Sequence, residues 1–394
     1  MGTHRSHFFF IFYNTQFQIM ATRIGILLPR SVEYPSISFD LLDGLRIHLR
    51  QLGINDITFH TENTGFGEDP EATHAAAEKL VLNHDVDFIV AYATSLNAEQ
   101  MYAFSTSTGK PVLFLDAGME HFEQQPHPNC FHLTLQGTQA CTMLGHAAGS
   151  QHKQLMFACS FLDGGYRGNW FMNEAAAAEN ATITGHFVSL YREEDFSLAL
   201  LEEIRRRTEG DAAILTAFTS YLTGFFLKHL KEASPELKQT TFYCSPFFAE
   251  EQQLDTCPFP DVNMNTIVPW VRTIESAENQ VFMDTIKKEK NKTANIFHLL
   301  GWEAAMVVQQ YMTGGVASIN GMSYTGPRGT VHFHPDTHSA YAPLYEGKIV
   351  AGDNNNCRLV LTKALEVTAD AHRTNFLLRP VGDFSRWKNN FFCI

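Results

Sequence analysis

The first third of the chain alternates short, nearly continuous apolar runs with longer segments whose apolar positions recur every three or four residues. "TRIGILLP" (22–29), "DITFH" (56–60), "VDFIVA" (86–91) and "PVLFLD" (111–116) read as strands. Between them, 36–52 places Leu41, Leu42, Leu45, Leu49 and Leu52 on one helical face. Ser36 or Ser38 can start that helix, and Gly53 stands where a C-terminal glycine belongs. A second helix is predicted from Pro70 to about Asn83 and a third over 96–108. Apolar strands separated by amphipathic helices predict a parallel sheet covered on both faces.

The alternation then repeats. Strands are predicted at 154–160, 182–190, 211–218 and 240–245, with helices at 167–179, 194–207 and 220–233. A strand near 266–271 and helices at 277–290 and 294–312 follow. From 322 the pattern changes to short strands and turns, and 366–394 carries too little periodicity to place. The fold class expected is α/β, with two units of roughly 22–137 and 138–265.

Composition narrows the function. With 44% hydrophobic residues the chain can bury large cores, and a net charge of −13 argues against a nucleic-acid partner. The basic run "RRR" at 205–207 lies on a helix and reads as a solvated face. Seven cysteines, with no C-x-x-C, fit a reducing compartment better than an oxidising one. The N-terminal apolar run "FFFIFY" is short for a secretory segment and is followed by polar "NTQFQ". Residues 1–21 are therefore expected to be an extension that is either untranslated or disordered, with Met20 as an alternative start. No run of 18 apolar residues occurs, so no membrane span is expected.

Ligands of open parallel sheets sit beyond the carboxyl ends of the strands. Those ends carry "PRSVEY", with Ser31 and Tyr34; "YATS", with Tyr92, Thr94 and Ser95; and "DAGME", with Asp116. In the second unit they carry "SFLDGGYRG", "AFTS" and "CSPFF". Thr94 and Ser95 open a helix, where hydroxyls and free N–H groups together can hold a carboxylate. The same residues can equally be plain caps. Asp116 could pair with an ammonium group, and Tyr34, Tyr92, Tyr166 and Phe218 could wall a small side chain. There is no G-x-S-x-G, P-loop, G-x-G-x-x-G or H-E-x-x-H, so neither enzyme nor cofactor is expected.

"GTVHFHPDTH" (329–338) suggests a metal-dependent hydrolase, the alternative from another class. However, 330–334 alternates as a strand, with His332 and His334 on one face and Val331 and Phe333 on the other, and "PDTH" makes a turn. Thr337 separates Asp336 from His338, which the metallohydrolase pattern does not allow. No metal site is expected.

Over about 22–362 the chain resembles the type I periplasmic binding proteins of the branched-chain amino acid, amide and urea branch. The stretches that carry the likeness are "IGILLPRSVEYPSISFDLLDGLRIHLRQLG", "VDFIVAYATSLNAEQMYAFSTSTGKPVLFLDAG", "LLGWEAAMVVQQ" and "YTGPRGTVHFHPDTHSAYAPLYEGKIV". The resemblance implies two doubly wound parallel-sheet domains joined by a three-crossover hinge, closing on a small ligand. It implies 22–137 plus 268–328 as one domain, 138–267 plus 329–365 as the other, and 366–394 as a tail. By position, Ala93, Thr94 and Ser95 match the holder of an α-carboxylate, and Ala117 and Gly118 the adjacent backbone contacts. Tyr166, Phe218, Thr219, Ser245 and Phe247 match loops of the second domain. The acid that usually meets a ligand's ammonium is not evident, since Glu250 and Glu251 lie far along their loop. The expected partner is a small molecule: an amino acid, amide, urea-like compound or aromatic acid. An ABC permease or a regulatory protein is the expected second partner. The family is periplasmic, whereas the N-terminus and the cysteines point to the cytoplasm. The resemblance implies transport or, as the alternative, a cytoplasmic ligand sensor that regulates gene expression.

Overall fold

A computed structural model describes residues 21–67, 69–92, 94–119, 126–165 and 167–378. The reading of the first 20 residues, and those of Ala93 and Tyr166, fall outside the described residues.

The first sheet holds β1 (Thr22–Leu28), β2 (Ile57–Asn63), β3 (Phe88–Tyr92), β4 (Val112–Asp116) and β5 (Cys130–Thr134) in the order β2-β1-β3-β4-β5. All its pairings are parallel. The helices between its strands are α1 (Ile37–Gln51), α2 (Pro70–His84) and α3 (Ser95–Thr108). Strands β3 to β5 are buried along their whole length, as runs such as "FIVAY" require. Local chemistry sets the helix ends. The Asp69 carboxylate accepts from the Glu71 and Ala72 N–H groups ahead of Pro70, and Gly109 ends α3 at φ +69°.

The second sheet runs β15-β14-β10-β9-β8-β6-β7. Its parallel part is β6 (Gln154–Ser160), β7 (Thr182–Ser189), β8 (Ala212–Ala217), β9 (Thr241–Cys244) and β10 (Met264–Val268). Helices α4 (Gly137–Gln151), α5 (Arg167–Ala178), α6 (Ala199–Arg207) and α7 (Tyr221–Lys231) belong to this half, with one-turn helices α8 (Pro235–Lys238) and α9 (Glu251–Leu254). After α10 (Ala277–Lys290) and α11 (Ile296–Gly314) comes a small antiparallel sheet of β11 (Ser323–Gly326), β12 (Gly329–Phe333) and β13 (Ala340–Tyr341). It leans on the first sheet through a bridge between Ser339 and His132. Finally β14 (Leu344–Ala351) and β15 (Cys357–Leu365) return antiparallel to the edge of the second sheet, and α12 (Ala369–Leu377) closes the described chain. The chain thus crosses between the halves after β5, after β10 and after β13.

Two close approaches hold the first half to the connecting helices. At the crossing of α1 and α11, a Cβ on Gly44 would lie 2.2 Å from the His298 carbonyl oxygen. One on Gly301 would lie 2.0 Å from that of Leu41, so only glycine lets these backbones touch. Second, Arg328 and Glu303 form a fully buried pair, with two Nε–carboxylate contacts of 3.0 Å and an Nη2 contact of 2.9 Å. Arg328 also donates to the Thr134 carbonyl at the end of β5.

Strand β5 and helix α4 carry no clear sequence signal. "CFHLT" has a histidine at its centre, but His132 is buried: Tyr102 Oη lies 2.7 Å from its Nε2, and its ring stacks on Phe114. Helix α4 holds three glycines, of which Gly145 and Gly149 let α5 approach at backbone distance. The start of the 366–394 segment also takes on a form. Helix α12 packs beside α4 through Asn375, which bonds Thr138 and Thr142, and His372 Nε2 lies 2.7 Å from Ser339 Oγ.

Candidate functional site

The loops beyond the carboxyl ends of β1, β3, β6, β8 and β9 gather between the halves. On the first side, the Ser31 hydroxyl accepts from the Tyr34 N–H (3.0 Å), fixing the turn that turns Tyr34 inward. Tyr34 and Tyr92 both pack edge-on against Phe297 of α11, with centroids 5.3 and 6.3 Å apart. Burial raises the Tyr34 phenol well above its ordinary range, and Glu250, Glu33, Tyr92 and Asp163 add to the rise. One side chain thus feels acids from both halves.

Thr94 caps α3: its Oγ accepts from the Asn97 N–H, while Thr94 Oγ1 and Asn97 Nδ2 both donate to the Gly67 carbonyl. Ser95 is the first residue of α3. Asp116 turns aside. Its Oδ1 accepts from the Gly118 N–H, and its Oδ2 lies 3.7 Å from His132 Nδ1. The Ala117 and Gly118 carbonyls accept from Gly137 and Thr138 at the start of α4. Gly118 has φ +75°, and a Cβ there would meet the Gly137 nitrogen at 2.3 Å. Asp116 and Gly118 line a recess with His372, Asn375 and Phe376 of α12, separate from the tyrosines.

On the second side, Phe218 is packed into the core beneath, stacked on Phe226 at 4.5 Å. It supports the loop, and the groups at the loop surface are its neighbours. The Thr219 hydroxyl donates to Asp163 Oδ1 (2.6 Å), and the Thr219 N–H to Oδ2 (3.3 Å). Ser160 Oγ also donates to Oδ2 (2.6 Å). Burial pushes the Asp163 carboxyl up to about 7 against these bonds, which favour its ionised form. Ser245 caps the turn after β9 by accepting from the Phe248 N–H. Phe247 is buried beside Pro246, Trp270 and Ile296. Glu250 caps α9 through the Gln252 and Gln253 N–H groups, and Glu251 accepts from the Arg272 N–H. Glu250 is thus engaged within its own turn, and Glu251 by the connection that leaves the half after β10.

The acid that sequence reasoning missed is Glu33. It leaves the loop after β1, and its carboxyl hydrogen-bonds Ser220, at the start of α7 in the other half. Burial raises Glu33 to about 8; the bond to Ser220 opposes this, and the like charge of Asp163 adds to it. Glu33 Oε2 is buried with no hydrogen-bond partner among the described residues. Ser220 has φ +52° and ψ −135°, a region that costs a non-glycine residue about 1–3 kcal/mol. Such strain concentrates at ligand clamps and active sites. Glu33 stood in "PRSVEY", Asp163 in "SFLDGGYRG" and Ser220 in "AFTS", so the right loops were legible but not which side chain of each faced the cleft.

The histidine stretch does not converge. His332 bonds Ser323, His334 Nδ1 accepts from the Asp336 N–H, His338 lies against the His127 carbonyl, and Asp336 pairs with Arg373. Val331 and Phe333 are buried, as the alternation predicts. Among the described residues, the one His/Cys/Asp/Glu group near enough to share an ion is Asp40, Asp43 and His298. Both aspartates there already pair with Lys292 and Lys290.

The full architecture is shared with solved structures. A solute-binding protein of an ABC transporter from Rhodopseudomonas palustris, in complex with 3,4-dihydroxybenzoic acid, is 16% identical, with a TM-score of 0.70 over 88% of this chain and 97% of that one. One from the same species in complex with benzoate is 18% identical, with a TM-score of 0.69 over 89% and 98%. The branched-chain amino acid transporter substrate-binding protein of Streptococcus pneumoniae, in complex with isoleucine, is 13% identical, with a TM-score of 0.64 over 87% and 100%. No curated protein matches the chain in sequence. Among the described residues no helix is long and apolar enough to cross a membrane. The family model described as "Periplasmic binding protein" matches residues 21–354, and the chain, with two α/β halves around one cleft, belongs to that family.

Proposed function

We propose that this protein is the substrate-binding component of an ABC importer, working on the periplasmic side. On this reading its cleft closes on a small ligand that presents a hydrogen-donating head, an amide, urea-like or ammonium group, to Glu33. The observation that carries the choice of head is the Glu33 carboxyl. It reaches from one half to Ser220 of the other and keeps a buried oxygen that accepts from no described residue. A buried acceptor left unmatched is unfavourable by about 1–3 kcal/mol, which a donor on the ligand would recover. Asp163 adds negative charge beside it, which favours a donor or a cation over an anion. Tyr34, Tyr92 and Phe297 form an aromatic wall for the rest of the ligand. Binding both halves at once gives the ligand its differential affinity for the closed form.

A thermal-shift screen tests this, since a ligand that binds only the folded state raises the melting temperature. It compares amino acids, short amides, ureas and amines with benzoates, the ligands of two structural neighbours. Donor-headed compounds are expected to stabilise the wild type and to lose at least tenfold in affinity with Glu33→Ala. Stabilisation by benzoates alone, unaffected by that substitution, would refute the assignment of Glu33. Ligand-released co-purification with a regulatory protein, and none with a permease, would favour sensing over transport.

A further inference from the structure

Outside the cleft, the described cysteines are buried, and two of them face each other across a backbone ladder. Pro258 and Asn356 form an isolated antiparallel bridge on the outer edge of β15. The Phe259 N–H donates to the Asn355 carbonyl (3.0 Å) and the Cys357 N–H to the Cys257 carbonyl (2.8 Å). This register sets Cys257 directly opposite Cys357. One bond of that rung is made, since the Cys257 N–H turns to the Leu254 carbonyl. Residues opposite each other in an antiparallel pair have Cα atoms about 4.5–5.5 Å apart and side chains on the same face. A disulfide spans Cα separations of about 4.4–6.8 Å. The two thiols also share one turn: Cys257 Sγ donates to the Gln253 carbonyl (3.2 Å) and Cys357 Sγ to that of Pro258 (3.5 Å). The other strand cysteines face no cysteine across a rung. Cys130 pairs with Val112, Cys159 with Val188 and Ala217, and Cys244 with Thr216 and Thr266.

We propose that Cys257 and Cys357 are joined by a disulfide when the chain folds under oxidising conditions. In that step the two thiols give up their protons and two electrons, the S–S bond forms, and a thiol–disulfide oxidant is reduced to its two thiols. Burial of both sulfurs places the reaction during folding, before the edge of β15 is covered. The bond ties the back of the loop that carries Phe247 and Glu250 to the last strand of the sheet. The family's periplasmic setting supplies oxidising conditions.

The test does not depend on localisation. Denatured, reduced protein is refolded in a mixture of oxidised and reduced glutathione, and its thiols are titrated after denaturation. Of the seven cysteines in the chain, five are expected to react. Trypsin leaves Cys244 and Cys257 on one peptide, so a glutamyl endopeptidase that cuts at Glu250 and Glu251 is added. Mass spectrometry should then find the peptide containing Cys257 joined to the one containing Cys357. Cys257→Ser should leave six reactive thiols and no cross-link. Seven thiols in the refolded wild type, or a bond through Cys244 or Cys393, would overturn the proposal. Should the serine variant fail to fold, the wild-type peptide map still decides.

Discussion

The closed cleft should be sensitive to pH through Glu33, and the sign follows from its environment. Burial raises its carboxyl from 4.5 to about 8, so a form with Glu33 buried binds the proton more tightly than an open form that exposes it to water. Closure is therefore fully favoured below about pH 4.5 and loses stability as the pH rises to about 8, beyond which it stays level. At about 1.4 kcal/mol per unit, less near the two ends of the window, moving from about pH 5 to pH 8 withdraws roughly 3.5 kcal/mol from the closed form, taking the full shift as relieved on opening. Asp163 is also raised, to about 7, but the hydroxyls and the N–H that bond it, from Ser160 and Thr219, come from its own half. Its titration weighs on unfolding more than on opening. Glu33→Gln keeps a polar group within reach of Ser220 and removes the titration. Small-angle scattering of the ligand-free protein across this range should show the wild type expanding as the pH rises, while Glu33→Gln keeps one radius of gyration throughout. An identical pH dependence in both proteins would show that Glu33 does not govern closure.

Replacing Arg328 with Met leaves Glu303 charged in a site with no exposure, and should destabilise the protein by about 3–5 kcal/mol in guanidinium unfolding. Adding Glu303→Leu should recover most of that loss. Thr94→Val removes the α3 cap and should lower stability by about 1 kcal/mol, with circular dichroism unchanged at room temperature. Gly44→Ala puts a methyl group 2.2 Å from the His298 carbonyl oxygen, so α1 and α11 must separate. A melting temperature within 2 °C of the wild type would contradict that geometry.

The layout of the sheets was legible because strands buried on both faces leave long apolar runs, and helices of one half-buried face leave a period. The helix at Ala277–Lys290 falls on its expected bounds for that reason. Strand β5 was not legible, since its central His132 owes its burial to Tyr102 and Phe114, partners thirty and eighteen residues away. The candidate site divides along the same line. Backbone topology places loops, so every loop named from strand ends does lie at a strand end. Which side chain of a loop faces the cleft depends on contacts with residues distant in the chain, in its own half or the opposite one. Phe218 reads as a ligand wall because it is aromatic and follows β8, yet Phe226 of the same half takes up its ring. Nothing in the sequence singles out Glu33 between Val32 and Tyr34. Ser220, strained at φ +52°, comes to it from the other half, and that carboxyl is buried and short of one donor. A cleft built from two domains therefore hides such groups from sequence reading, because their surroundings are assembled from stretches far apart in the chain.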